Sequence, residues 1–275
     1  MGAPHTYRTE GIVVRLVNVG EADKILTLVT PDHGKLSALA KSIRRPKAKL
    51  SGHLDLFSRA KLLIANGRNL DVIAGAEMID GFRRVRDDLW RTSCAIYAIE
   101  LVERFSEENL ENRSLYGLLV GALEILDETR NAEVLLRHFE LAVLGASGFR
   151  PELRNCLVCQ REIEPEENRF SPNGVTCPQC PFDASSRPIS IAALKVLRFL
   201  QANDVATSLR LRPDPRVLGE IEGHLQRTLH SVLDRDLKST EFLGIVRRQA
   251  TEGKMLAAPV REQPSKGEIF HKDRP

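Results

Sequence analysis

The chain has 275 residues, 42% of them hydrophobic, with 40 Lys and Arg against 37 Asp and Glu. That length suffices for two or three domains with real cores, and no apolar run approaches the roughly 20 residues that span a bilayer. The net charge of +3 argues neither for nor against a polyanionic partner, so the distribution of charge has to carry that question.

Residues 6–76 read as strands. Gly11–Val17 is rich in β-branched residues, and Lys24–Thr30 follows the turn-like Gly20-Glu21-Ala22-Asp23. Pro31-Asp32-His33-Gly34 is a strong turn signal, after which Lys35–Lys41 alternates as a half-buried strand does. Arg59–Ile64 is a fourth strand, and Asn66-Gly67 suits a hairpin turn into Leu70–Ala74. Five short strands in so short a segment fit a small barrel, and the OB-fold is the common five-stranded choice. Helices then take over, over Leu89–Phe105, Tyr116–Leu126 and Val134–Leu144, until Gly145, Gly148 and Pro151 stop them.

Two cysteine pairs follow, Cys156-Leu157-Val158-Cys159 and Cys177-Pro178-Gln179-Cys180, seventeen residues apart. Two such knuckles can wrap one tetrahedral ion, usually Zn2+, and a four-thiolate set leaves no open position for catalysis. Asn173-Gly174 between them reads as a hairpin turn. Two disulfides would use the same thiols. Met1–Glu10 lacks the apolar core of a signal peptide, however, so a reducing cytoplasm is expected, where paired cysteines bind metal more often. His138-Phe139-Glu140 ahead of a Cys-x-x-Cys echoes a zinc deaminase signature, but Asn155 stands where that signature has proline. Beyond the cysteines, Ser190 caps a helix over Ile191–Leu200, Asp214-Pro215 starts one running to about Leu233, and Ser239 caps a last one through Arg248. The division expected is a nucleic-acid-binding barrel (1–80), a helical domain in two parts (81–150 and 188–250) around a zinc-finger module (151–187), and a disordered tail (251–275).

The main functional signal is basic. From Lys35 to Lys49 there are six basic residues (Lys35, Lys41, Arg44, Arg45, Lys47, Lys49) and no acid. Alternation places Lys35 and Lys41 on one strand face, with a basic loop after them, where Pro46 disfavours regular structure. Such a barrel face can follow a phosphate backbone in a sequence-blind, salt-sensitive way; a plain solvated surface is the bland alternative. Aromatics for base stacking are sparse: Tyr7, Phe57 and Phe82, with Phe57 better suited to the core. Cys94 reads as core, and His33, His53, His224 and His230 as surface or core residues. Glu107-Glu108 and Glu164–Glu167 read as solvated acids. No nucleophile has an evident base, so no enzyme is expected.

Thr9–Arg15, Gly20–Leu28, Gly34-Lys35-Leu36 and Arg44-Arg45-Pro46-Lys47 together resemble the N-terminal domain of the bacterial DNA repair family RecO. The cysteine pairs after Gly148-Phe149-Arg150-Pro151, and Phe170-Ser171-Pro172 before the second pair, are similar to the same family. The resemblance covers about 250 residues in one order. It implies an N-terminal OB-fold, a helical domain and a zinc finger. It also implies binding of single- and double-stranded DNA, strand annealing without nucleotide hydrolysis, and action with RecR. The C-terminal tail of single-stranded DNA-binding protein is an implied contact, and loading of RecA the implied outcome. Lys24, Lys35, Lys41, Arg44, Arg45, Lys47 and Lys49 fall where the family's basic barrel surface lies, and Cys156, Cys159, Cys177 and Cys180 on its zinc ligands. A cytoplasmic, nucleoid-associated protein is expected. The residues alone also allow a zinc-containing interaction adaptor with no DNA affinity of its own.

Overall fold

The computed structural model describes residues 6–45, 48, 50, 52–129, 131–164, 168–181 and 184–256. Five strands close a barrel: β1 (Thr6–Val19), β2 (Asp23–Thr30), β3 (Gly34–Ala40), β4 (Arg59–Ala65) and β5 (Asp71–Asp80). Their order is β1-β2-β3-β5-β4, with β4 returning to β1, which is the OB-fold arrangement. The long β1 serves both neighbours. Thr6–Ile12 pairs with β4 and Ile12–Val19 with β2, and an irregularity between Val13 and Arg15 lets the strand bend from one to the other. Closure is slight: β3 and β5 pair in parallel only at Ala38↔Asp71 and Leu39↔Val72.

Period-two alternation sends two sets of side chains to two cores. Val13, Leu26, Leu28, Leu36, Ala38, Leu62, Ile64 and Ile73 fill the barrel. Ile12, Val14, Val29 and Phe57 instead join the core of the helical part. Each large aliphatic side chain so buried contributes about 1.5–3 kcal/mol, so the barrel and the helices share one continuous apolar seam. Hydrogen bonds reinforce it: Lys35 N–H donates to the Glu107 carbonyl and Asn109 N–H to the Lys35 carbonyl, both at 3.1 Å. Gly34 (φ 55°) makes this approach possible, since a Cβ there would lie 2.0 Å from the Leu110 carbonyl oxygen.

The helices are α1 (Arg83–Asp87), α2 (Leu89–Phe105), α3 (Arg113–Glu128), α4 (Ala132–Ala146), α5 (Ile191–Ala202), α6 (Val205–Ser208), α7 (Pro215–Leu233) and α8 (Ser239–Leu256). Side chains of Asp88, Asn112, Ser190 and Asp214 cap α2, α3, α5 and α7, and Pro215 sits in the first turn of α7. Each such cap contributes about 1 kcal/mol. α2 is central: Cys94, Tyr97, Ala98, Leu101 and Val102 are buried against its neighbours. Between α4 and α5 lie three short strands, β6 (Asn168–Ser171), β7 (Gly174–Thr176) and β8 (Arg187–Ile189), ordered β7-β6-β8.

Two expectations need correcting. α8 runs to Leu256, past Thr251 where the tail was expected to begin, because consecutive intrahelical hydrogen bonds extend it through a polar stretch. The remainder of that expected tail, 257–275, lies outside the described residues. Lys41 is not in β3, which ends at Ala40; it opens a turn, so it does not share a strand face with Lys35. No helix among the described residues is long and apolar enough to cross a membrane.

Candidate nucleic-acid interface and metal centre

The basic residues divide into two groups. Lys24, the second residue of β2, pairs with Asn18 on β1 and Ala40 on β3. Ser42 (φ 55°) then turns the chain back: its N–H donates to Asp23 Oδ1 at 2.6 Å, and Arg44 N–H donates to the Ala22 carbonyl at 2.9 Å. Arg44 Nη1 also reaches the Gly20 carbonyl at 3.4 Å. The 41–45 turn is thereby docked on the β1–β2 turn, which brings Lys24, Lys41, Arg44 and Arg45 to one rim of the barrel. Lys41, Arg44 and Arg45 are exposed, and among the described residues none of the four makes an ion pair. Lys47 and Lys49 lie outside the described residues.

Lys35 is elsewhere. It sits at the other end of β3, six residues from Lys41, or about 20 Å at the usual strand rise. It shares the outer face with Ser37 and turns toward α2. Lys24 shares its parity with the interior residues Leu26 and Leu28, so it and Lys35 leave the sheet on opposite sides. The aromatics are committed: Phe57 and Phe82 are buried, and Tyr7 packs against His33 while donating to Asp71 Oδ2 at 2.8 Å. Among the described residues, the rim therefore offers charge without an aromatic stacking platform.

The four paired cysteines converge. Their Sγ atoms all lie within 4.8 Å of one another, near the roughly 3.8 Å that a tetrahedral ion with 2.3 Å metal–sulfur bonds would set. None is in a disulfide, and Cys159 Sγ stands 4.0 Å from Cys177 Sγ, about twice a covalent S–S length. The backbone builds the cradle. Cys156 N–H donates to the Arg161 carbonyl and Gln160 N–H to the Cys156 carbonyl, at 2.9 and 3.0 Å, with Gln160 at φ 60°. Leu157 N–H donates to Val175 on β7 at 3.0 Å, joining the first knuckle to the hairpin that delivers the second. That hairpin turns at Pro172-Asn173, one residue earlier than expected, and Gly174 then passes so close to Glu152 that a Cβ would sit 2.2 Å from its carbonyl oxygen. Burial works against a thiolate at Cys156, but N–H groups of Cys159, Cys177 and Val158 outweigh it and bring the thiol down to about 6. Arg161 lowers Cys159 in the same way. Cys180 goes the other way, pushed up to about 12 by the neighbouring thiols, Cys177 first, as expected where soft sulfur donors crowd together, and such a set fits a thiophilic divalent metal.

The deaminase arrangement does not form. Glu140 is fully buried, 3.0 Å from Arg137 and accepting the Tyr97 hydroxyl at 2.5 Å. His138 Nδ1 contacts Ser208 Oγ at 3.1 Å. Burial pushes the Cys94 thiol up to about 12, in keeping with a core role. His224 is also buried, edge-on to Phe170 with ring centroids 4.9 Å apart, where it links the finger to α7.

Residues 3–82 match the family model Recombination protein O N terminal, and residues 86–241 match Recombination protein O C terminal. The chain belongs to the RecO family. A DNA repair protein RecO from Dehalococcoides mccartyi is 38% identical over 90% of this chain and 99% of its own. One from Roseiflexus is 39% identical over 88% and 86%, and one from Symbiobacterium thermophilum 36% identical over 88% and 98%. The seam between the two matched regions falls at α1, where the RecO barrel gives way to helices.

Proposed function

We propose that this RecO-family protein is a nonenzymatic DNA-binding and strand-annealing mediator of recombinational repair. It holds single- and double-stranded DNA, acts with RecR and with the C-terminal tail of single-stranded DNA-binding protein, and so helps RecA load. The observation that carries this reading is the rim where Lys24, Lys41, Arg44 and Arg45 gather without ion-pair partners among the described residues. Annealing breaks no covalent bond; it needs phosphate repulsion offset while bases stay free to pair, and cations without a stacking surface do that. Lys47 and Lys49 continue the same basic run in sequence. The four cysteines hold a structural Zn2+, closed to substrate by its four thiolates. The working division is a barrel over 1–80, a helical domain over 81–150 and 188–250, and a finger over 151–187, in a cytoplasmic, nucleoid-associated protein.

The test is fluorescence anisotropy with labelled oligo(dT) across a salt series. Lys41→Glu with Arg44→Glu should weaken binding severalfold and reduce the log–log salt slope by about 1.4, two contacts at roughly 0.7 each for single strands. Equal affinity and slope in that variant would remove the rim from the mechanism. A parent protein that shifts no oligonucleotide in a gel would instead be an interaction adaptor.

A further inference from the structure

The separation of Lys35 from the rim has a structural counterpart. A polar cleft of about 440 Å³ opens between the outer face of β1–β3 and the helices. Strand register puts Arg15, Thr27 and Ser37 in one row across it, through the pairs Arg15↔Thr27 and Thr27↔Ser37. Lys35 is two residues along from Ser37 on the same face. From the opposite wall come Arg104 on α2 and Arg235 just beyond α7. Two carboxylates also line the cleft, Glu103 and Glu108, and Glu103 is already engaged by Arg15. Neither Lys35 nor Arg235 makes an ion pair among the described residues. Among the described residues, the one apolar side chain in the lining is Leu233, and no aromatic faces the space.

We propose that this cleft is a second seat for the phosphodiester backbone of a single DNA strand, separate from the barrel rim, so that one chain carries two strands at once. This rests on the DNA-binding reading above and adds a location and a stoichiometry to it. Lys35 and Arg235 make no ion pair among the described residues, whereas Arg15 and Arg104 are shared with Glu103 and Glu100; with two hydroxyls these cations supply donors matched to phosphate oxygens, and guanidinium groups favour such contacts. The volume lies in the range of small-ligand clefts and admits one backbone, not a duplex. An acidic peptide fits worse, because the lining gives its side chains little apolar surface to bury against. With no ring to stack on, bases of a seated strand point away and stay available to a strand held at the rim, about 20 Å off by strand rise.

The test uses the full chain with donor- and acceptor-labelled oligo(dT) 12-mers, which cannot pair with each other. The parent should bring the two labels together and show energy transfer. Lys35→Glu with Arg235→Glu, checked for folding by circular dichroism, should lose transfer by about fivefold or more at strand concentrations that saturate the remaining seat. Lys35→Gln with Arg235→Gln replaces it should the charge reversal unfold the protein. Transfer undiminished in the cleft variant overturns the proposal, as does a parent that binds oligo(dT) without transfer. A parent that binds no oligonucleotide fails the DNA-binding reading itself. Labelled deca-glutamate that binds the parent, is lost in the Lys35→Glu with Arg235→Glu variant and is not displaced by oligo(dT) would assign the cleft to an acidic peptide and overturn the proposal too.

Discussion

Glu140→Leu should be among the most damaging single changes in the helical domain. Arg137 is 2% exposed and Glu140 not at all; their ion pair is 3.0 Å long, and Glu140 also accepts the Tyr97 hydroxyl. Glu222 cannot readily take over. It stands 3.8 Å from Arg137 and is already held by Arg247 at 2.5 Å. Removing Glu140 leaves a buried guanidinium with only that distant partner, a loss of about 3–5 kcal/mol. For a unit of this size that corresponds to a fall in Tm of about 6–20 °C, read by circular dichroism at 222 nm with urea unfolding alongside. The decisive comparison is Arg137→Met with Glu140→Leu. Replacing both charges with apolar groups of similar volume should recover most of the loss. A residual deficit of about 1–3 kcal/mol should come from the stranded Tyr97 hydroxyl, and adding Tyr97→Phe should remove it. A single variant within about 1 kcal/mol of the parent, or a double variant less stable than the single, would refute the reasoning.

Cys177→Ser should abolish binding of the proposed Zn2+ and loosen residues 151–187, and full metal content by elemental analysis in that variant would contradict the assignment. Gly34→Ala should cost about 2 kcal/mol or more, because its backbone is left-handed and the Leu110 carbonyl occupies the space; a denaturant melt checks this. Burial first, and the charge of Arg227 next, hold His224 down to about 4. A depressed histidine favours the fold above its unfolded value near 6.5 and loses that contribution as pH falls toward 4, since the unfolded chain then binds the extra proton. The drop in Tm between pH 6.5 and 4 should accordingly be shallower in His224→Gln than in the parent, with equal slopes as the contrary result.

Local signals carried the barrel and the long helices well. Alternation with Pro31–Gly34 between the runs located β2 and β3, and apolar spacing located α2 over Leu89–Phe105. The spacing of the thiols announced their convergence. α1 and α6 were missed because five and four residues are too few to display a helical period. The division of the basic residues was partly legible, since Lys24 has the parity of Leu26 and Leu28 while Lys35 has that of Ser37. The cleft was not. Arg15, Arg104 and Arg235 come from three elements far apart in the chain, each an ordinary surface cation until packing sets them face to face. α8 overran its expected end because polar composition was read as an unfolded tail, whereas a helix already started adds residues at little cost.

The apolar seam that Ile12, Val14, Val29 and Phe57 form with the helices has a mechanical consequence. Swinging the barrel on a hinge would expose that seam to water, so thermal motion at ordinary temperatures leaves the angle between barrel and helices nearly fixed. Whatever the rim and the cleft grasp is therefore presented like work clamped in a jig, at a set spacing and bearing. On the proposed two-seat reading, strands meeting there would find their alignment by sliding through the grips, with the protein itself standing still.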